Sequence, residues 1–290
     1  MPKFAFVVGK GRPKTRIFTP MRTVTSNIPA IWAFVMIAYV ALSILLGKRQ
    51  KRRKLEKLLQ TGRDGYDSLL SGYNPYYKSM LPEGRDRFLK RVLEFIESKK
   101  FVYIDLQKEE IMPVLISAAA VQLTYGLDHF QLDFFKTIYI IKDKYTYGLS
   151  QTPFEGHVSQ DGIYLSWTHF MREFANYSDG QNVGLHEMAH ALTYVNFTAH
   201  KGRDPSFHDN FVNFSAVARP IFERMKAGET TVLNSYAATN YQEFWAVCIE
   251  TFFERSAAFK DRLPELYTAL CNLLNQDPLT SRKFITVPAE

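Results

Sequence analysis

Hydrophobic and polar positions divide the 290-residue chain into stretches of different period. From Ile28 to Leu46, nineteen successive residues carry no charge (IPAIWAFVMIAYVALSILL). That length spans a hydrocarbon core of about 30 Å, whereas a buried helix of a globular domain usually keeps a polar stripe. A cleaved signal peptide fits less well, because the run is long and passes into Gly47-Lys48-Arg49 without a small-residue cleavage site. The pattern predicts one transmembrane helix over residues 28–47.

Beyond it, residues 61–82 are rich in Gly, Tyr, Asn and Pro and read as a linker. Phe88, Leu89, Val92, Leu93 and Ile96 then repeat at the spacing of an amphipathic helix, predicted over Arg85 to Ser98. A second helix is predicted over Lys108 to Tyr125, stopped by Gly126. Thr137–Ile141 and Gly162–Trp167 are β-branched and aromatic, hence strands, the second an edge to which an extended peptide could add or an ordinary sheet member. Asn176–Gly180 forms a turn and cap cluster. After it, helices are predicted from there to about Ala199 and over 206–226, 240–258 and 264–275. Few strands and many helices indicate one α+β domain over residues 81–290, mostly helical with a small sheet.

Charge sharpens this division. Residues 1–63 hold 14 Lys/Arg against a single acid, Glu56, so that segment carries +13 of a formal net +7 and the remainder is −6. The pI of 9.2 is therefore a property of the basic tail (1–27) and of the basic juxtamembrane stretch at the head of 48–80. The body has no basic footprint, which excludes nucleic acid as a partner. Seven of the ten residues from Lys48 to Lys57 are Lys or Arg. By the positive-inside rule they hold that end in the cytoplasm, which predicts a single-pass protein of the cell (inner) membrane with its body inside. Two cysteines, Cys248 and Cys271, form no disulfide framework.

Candidate chemistry sits in Gly184-Leu185-His186-Glu187-Met188-Ala189-His190. Residues four apart share a helix face, so His186 and His190 can offer nitrogens to one ion while Glu187 stands beside them as a base. This is the arrangement of a zinc hydrolase. The pattern arises by chance in roughly one such sequence in a hundred, and a third ligand is required. The metzincin extension fails, since Thr193 and Asn196 occupy its Gly and His positions. His200 and His208 lack the spacing and read as loop residues. Two carboxylates remain. Glu243 stands where an acid would close a capping box with Asn240, and Glu250 lies seven residues on among Val247, Cys248, Phe252 and Phe253. An acid in that company needs a compensating charge. On chemistry alone the two are level.

The stretch NSYAATNYQEFWAVCIETFFERSAAFKDRLPELYTALCNLLNQDPL, with DGIYLSWTHFMREFANYSDGQNVGLHEMAHAL and, more loosely, LPEGRDRFLKRVLEFIESKKF, resembles the Mlc titration factor A family. These are zinc-dependent peptidases whose site is related to the anthrax lethal factor protease domain. The resemblance covers roughly residues 80–280 and implies a zincin-like metallopeptidase domain acting on a peptide or protein. It also implies His186, His190 and Glu243 as zinc ligands, Glu187 as general base, Tyr236 near the substrate carbonyl, and Glu250 behind the ligands, orienting them. The family is linked to sequestering a transcriptional repressor, so a regulatory protein partner is the alternative expectation. Thr193 replaces the Asp usual in the family, and residues 199–232 match weakly, which bears on substrate and partner and not on the metal site.

Overall fold

The computed structural model describes residues 28–280, except 175 and 200. The basic tail 1–27 and His200 lie outside the described residues. Contacts divide the chain into two units, 1–53 and 54–290.

Helix α1 (Ile28–Tyr73) begins in the first unit and ends in the second. From Ile31 to Leu46 its large apolar side chains are exposed. By length and composition this helix can cross a membrane.

In the second unit the stretch read as a linker is helical. The end of α1 is followed by α2 (Pro75–Ser79), capped by Asn74, whose side chain accepts from the Tyr77 N–H. Leu70, Tyr76, Tyr77 and Met80 are buried. Tyr77 packs 5.3 Å from Phe88, and the Tyr76 hydroxyl donates to Gln276. Gly65 and Gly72 have open space around them, so they weaken the helix without opposing its packing. Tertiary burial outweighs local composition here.

Helices α3 (Pro82–Ser98) and α4 (Ile111–Thr124) agree with the apolar periodicity. Gly126 acts by close approach: a Cβ there would strike the carbonyls of Leu274 and Asn275. The sheet holds four strands in the order β1-β2-β4-β3: β1 (Lys100–Ile104), β2 (Thr137–Ile141), β3 (Gly156–Ser159) and β4 (Gly162–Ser166). β1, β2 and β4 are parallel, while β3 runs antiparallel to β4. β4 is therefore an interior strand, buried at all five residues, and cannot serve as a peptide-binding edge. That position belongs to β3, whose Gly-His-Val-Ser sequence has no period-2 signal.

Ile138, Ile140, Ile163 and Leu165 turn one face of the sheet into the core. There it meets α6 (Val183–Tyr194), which packs in turn on α4. Helix α5 (Trp167–Phe174) follows β4 directly. A π-helical turn, Val195–Ala199, extends α6, and α7 (Pro205–Lys226) carries His208, which is helical and not in a loop. The last helices among the described residues are α8 (Tyr241–Glu254), α9 (Ser256–Arg262) and α10 (Pro264–Leu274).

If residues 54–80 belong to the packed unit, Leu70→Ala must destabilise it, because Leu70 is fully buried. The expected loss is about 2–5 kcal/mol in urea unfolding of the purified chain; a linker position would move stability by no more than about 0.5 kcal/mol.

Candidate metal centre

Helix α6 is held at its N-terminus by three carboxylates from other helices. Asn182 caps it, its side chain accepting from the Leu185 N–H at 2.9 Å. Glu173 of α5 accepts from the Val183 N–H at 2.6 Å. Glu250 of α8 accepts from the Asn182 N–H at 3.0 Å, and Glu254 accepts from the Gly180 N–H and the Asn182 side chain. Donors that a helix start leaves unpaired thus find carboxyl oxygens as acceptors. Further along, the indole of Trp245 donates to the Ala189 carbonyl and pins α6 to α8.

This attachment brings the two histidines to Glu243. The Nε2 atoms of His186 and His190 are 3.0 Å apart, and Glu243 Oε2 lies 3.0 Å from the first and 3.6 Å from the second. Bonds of about 2.0–2.1 Å at tetrahedral angles require ligand atoms roughly 3.3 Å apart, and the three separations bracket that value. Glu243 Oε2 is within ion-pair distance of both histidines yet is buried without an aligned hydrogen-bond donor. The three atoms face a common point, which fits a metal ion. Asn240 does cap α8, accepting from Gln242 and Glu243 N–H groups, but the Glu243 carboxylate turns to the histidines. Its burial opposes ionisation, and the two imidazoles overcome this and hold the carboxyl well below its ordinary range.

Glu250 takes the other side of His186: its Oε1 lies 2.5 Å from Nδ1. A ring donating through Nδ1 presents the Nε2 lone pair to the centre. The two carboxylates that were level on sequence chemistry therefore occupy different places, Glu243 at the point of convergence and Glu250 behind His186.

Glu187 is 4% exposed, and its Oε2 is buried with no hydrogen-bond partner. Burial pushes its carboxyl up to about 7, against the pull of His186 and His190. Gly156 of β3 makes room for it, since a Cβ there would come within 2.6 Å of Glu187 Cγ. No sequence signal marked Gly156, a lone glycine in a strand without alternation. Glu173 and Glu254 were equally unmarked; only their partners in space reveal them. Tyr236 lies in the 3-10 turn Ser235–Ala238, half exposed, its ring 6.2 Å from that of His186. Of the site residues singled out in sequence, His186, Glu187, His190, Tyr236 and Glu243 line one cleft, and Glu250 lines the cavity adjoining it; His200 is not described, and His208 packs on Phe197. Among the described residues, His186, His190 and Glu243 are the group of three spaced to hold a metal.

A family model described as glucose-regulated metallo-peptidase M90 matches residues 47–274. An uncharacterized protein of Synechocystis, slr2042, is 24% identical over 233 residues, covering 74% of this chain and 84% of its own length. Mlc titration factor A of Cronobacter sakazakii is 28% identical over 136 residues, 45% of this chain and 51% of that protein. Its counterpart in Salmonella agona is 30% identical over 127 residues, 41% and 46%. The chain thus spans about half the length of the titration factors it matches.

Glu254 supplies a stability test. Burial pushes its carboxyl up to about 8, from an ordinary 4.5. Between those values the unfolded chain has released a proton that the folded chain keeps, so this group's contribution to stability falls as pH rises. Glu254→Gln removes that slope. Urea unfolding near pH 5 and pH 8 is expected to show the variant gaining on the wild type at the higher pH.

Proposed function

The chain belongs to the glucose-regulated metallo-peptidase M90 family, and we propose that it is a membrane-anchored, zinc-dependent peptidase. The observation that carries this reading is the convergence of His186, His190 and Glu243 at one point, with Glu187 Oε2 buried and without a hydrogen-bond partner beside it. His186, His190 and Glu243 would hold the ion. Zinc at such a site supplies Lewis acidity, which acidifies water and polarises a carbonyl.

The remaining roles fall to the chain's own groups. Glu187, raised toward neutrality, takes a proton from the attacking water and returns it to the leaving amine. Tyr236 reaches over the cleft and donates a hydrogen bond to the oxygen that gains charge as the carbonyl is attacked. Glu250 positions His186. A base beside the ligands has no use in a closed structural site, which favours catalysis.

Residues 28–47 would anchor the protein in the cell membrane, with residues 48–80 leading into the catalytic unit on the cytoplasmic side. Support comes from the exposed apolar helix face and the seven positive charges that follow it. A second reading is regulatory: the Mlc titration factors are named for a protein they titrate, and this chain would bind and sequester such a partner with little or no hydrolysis.

Wild-type protein is expected to carry one zinc per chain by metal analysis and to cleave members of a broad peptide panel. His186→Ala and Glu243→Ala should lose the metal. Glu187→Ala should keep it and lose turnover, and Tyr236→Phe should cost about 100- to 1,000-fold in kcat. Zinc-loaded wild type that cleaves nothing on the panel sinks the peptidase reading and leaves the regulatory one. The anchor is checked by alkaline carbonate washing of membranes: the full chain should stay in the pellet, and release into the wash overturns the transmembrane assignment.

A further inference from the structure

The cleft is divided by the metal centre into halves of opposite character. Toward the C-terminal end of α6 is a cavity of about 490 Å³, walled beyond the histidines by Thr193, Tyr194, Phe197, Phe211 and Trp245. None of these is charged, and Phe197 is 38% exposed. Toward the N-terminal end is a second cavity of about 380 Å³, where Lys144, Glu155, Gln181 and Asn234 line the wall. Lys144 and Glu155 pair there at 2.6 Å.

The register of β3 sets which way a chain can lie between them. In an antiparallel ladder, hydrogen-bonded and non-bonded residue pairs alternate. The Ser166 N–H donates to the Glu155 carbonyl, so residues 155, 157 and 159 face β4, while Gly156 and Val158 turn their N–H and C=O outward. Phe154 also faces outward, but Tyr145 occupies it through both backbone bonds, at 2.8 and 3.2 Å. The open edge is therefore Gly156 to Val158. It starts beside Glu187 and runs toward the aromatic cavity, since both cavities include Gly156 but only the aromatic one reaches Val158.

We propose that an extended peptide pairs antiparallel with Gly156 and Val158 and places a bulky apolar side chain, within two residues on the amino side of the cut bond, in the pocket of Tyr194, Phe197 and Phe211. The antiparallel sense follows from the better-aligned hydrogen bonds of that ladder. It puts the peptide's amino end at Val158. The carboxyl side leaves the edge where Tyr145 closes it and enters the polar half. This inference rests on the peptidase reading and adds its specificity.

The test is a position-scanning peptide library digested by the full zinc-loaded chain, with cut sites mapped by mass spectrometry. Phe, Leu, Tyr or Met within two residues before the cut is expected to be preferred over Gly or Asp by about 10- to 100-fold in kcat/KM. Phe197→Asp should lower that ratio at least about 10-fold, and Phe197→Leu should preserve it. Cleavage with no apolar preference, a preference on the carboxyl side instead, or a ratio untouched by Phe197→Asp overturns the proposal while leaving the peptidase reading standing. If wild type cleaves nothing, the peptidase reading fails by itself. The pocket is then judged by fluorescence anisotropy of the same peptides on Glu187→Ala protein, where equal affinity for apolar and Asp-bearing peptides overturns the proposal.

Discussion

The structure turns on one carboxylate. Glu250 accepts from the Asn182 N–H through one oxygen and holds His186 Nδ1 through the other. It thereby couples the start of α6, the orientation of a ring and the position of α8 in one group. A buried acid among Phe252, Phe253 and Cys248 is expensive unless its charge is answered. A backbone donor at a helix start and an imidazole N–H answer it. The same acid explains why Glu243, two turns earlier on α8, arrives at the histidines: with α8 tied to α6 at Glu250, Glu254 and Trp245, Glu243 faces His186 and His190.

A second constraint is steric. Glu187 projects toward the sheet, where the edge strand must come close enough to present its backbone to the cleft. Gly156 is the residue that lets both occupy the space. The fold thus places a buried base and an open strand edge next to each other, an arrangement suited to an extended chain crossing the centre. The aromatic wall at the far end of α6 arises because α6 continues as a π-helical turn. That turn swings Phe197 into contact with Phe211 of α7, ring centroids 4.7 Å apart.

The N-terminal helix obeys different physics. Its apolar side chains from Ile31 to Leu46 are exposed, and charge follows them at once. In the second unit, by contrast, Leu55 and Leu70 of the same helix are buried in the core. One helix changes from a uniformly apolar surface to a face buried within its own unit, and the change coincides with the basic cluster.

The sequence by itself determined the family, the helix carrying His186, Glu187 and His190, the strands β2 and β4, and most helices of the body, because their periods and caps are local. It also singled out Glu243 and Glu250 but could not part them by chemistry, since seven residues on one helix face leave both facing α6. Residues 61–82 misled, because Gly and Pro content reports local propensity while Leu70 and Tyr77 are held by distant partners. β3 stayed hidden, since a short strand with Gly at its centre of action has no period to detect, and for β4 the sequence left edge and ordinary sheet member open. The family resemblance parted Glu243 from Glu250, but only the tertiary structure decided which strand is the edge and why Gly156 stands against Glu187, and only there is the distance from Glu243 to the histidines visible. Each of these is a distance between segments far apart in the chain, and no local pattern encodes it.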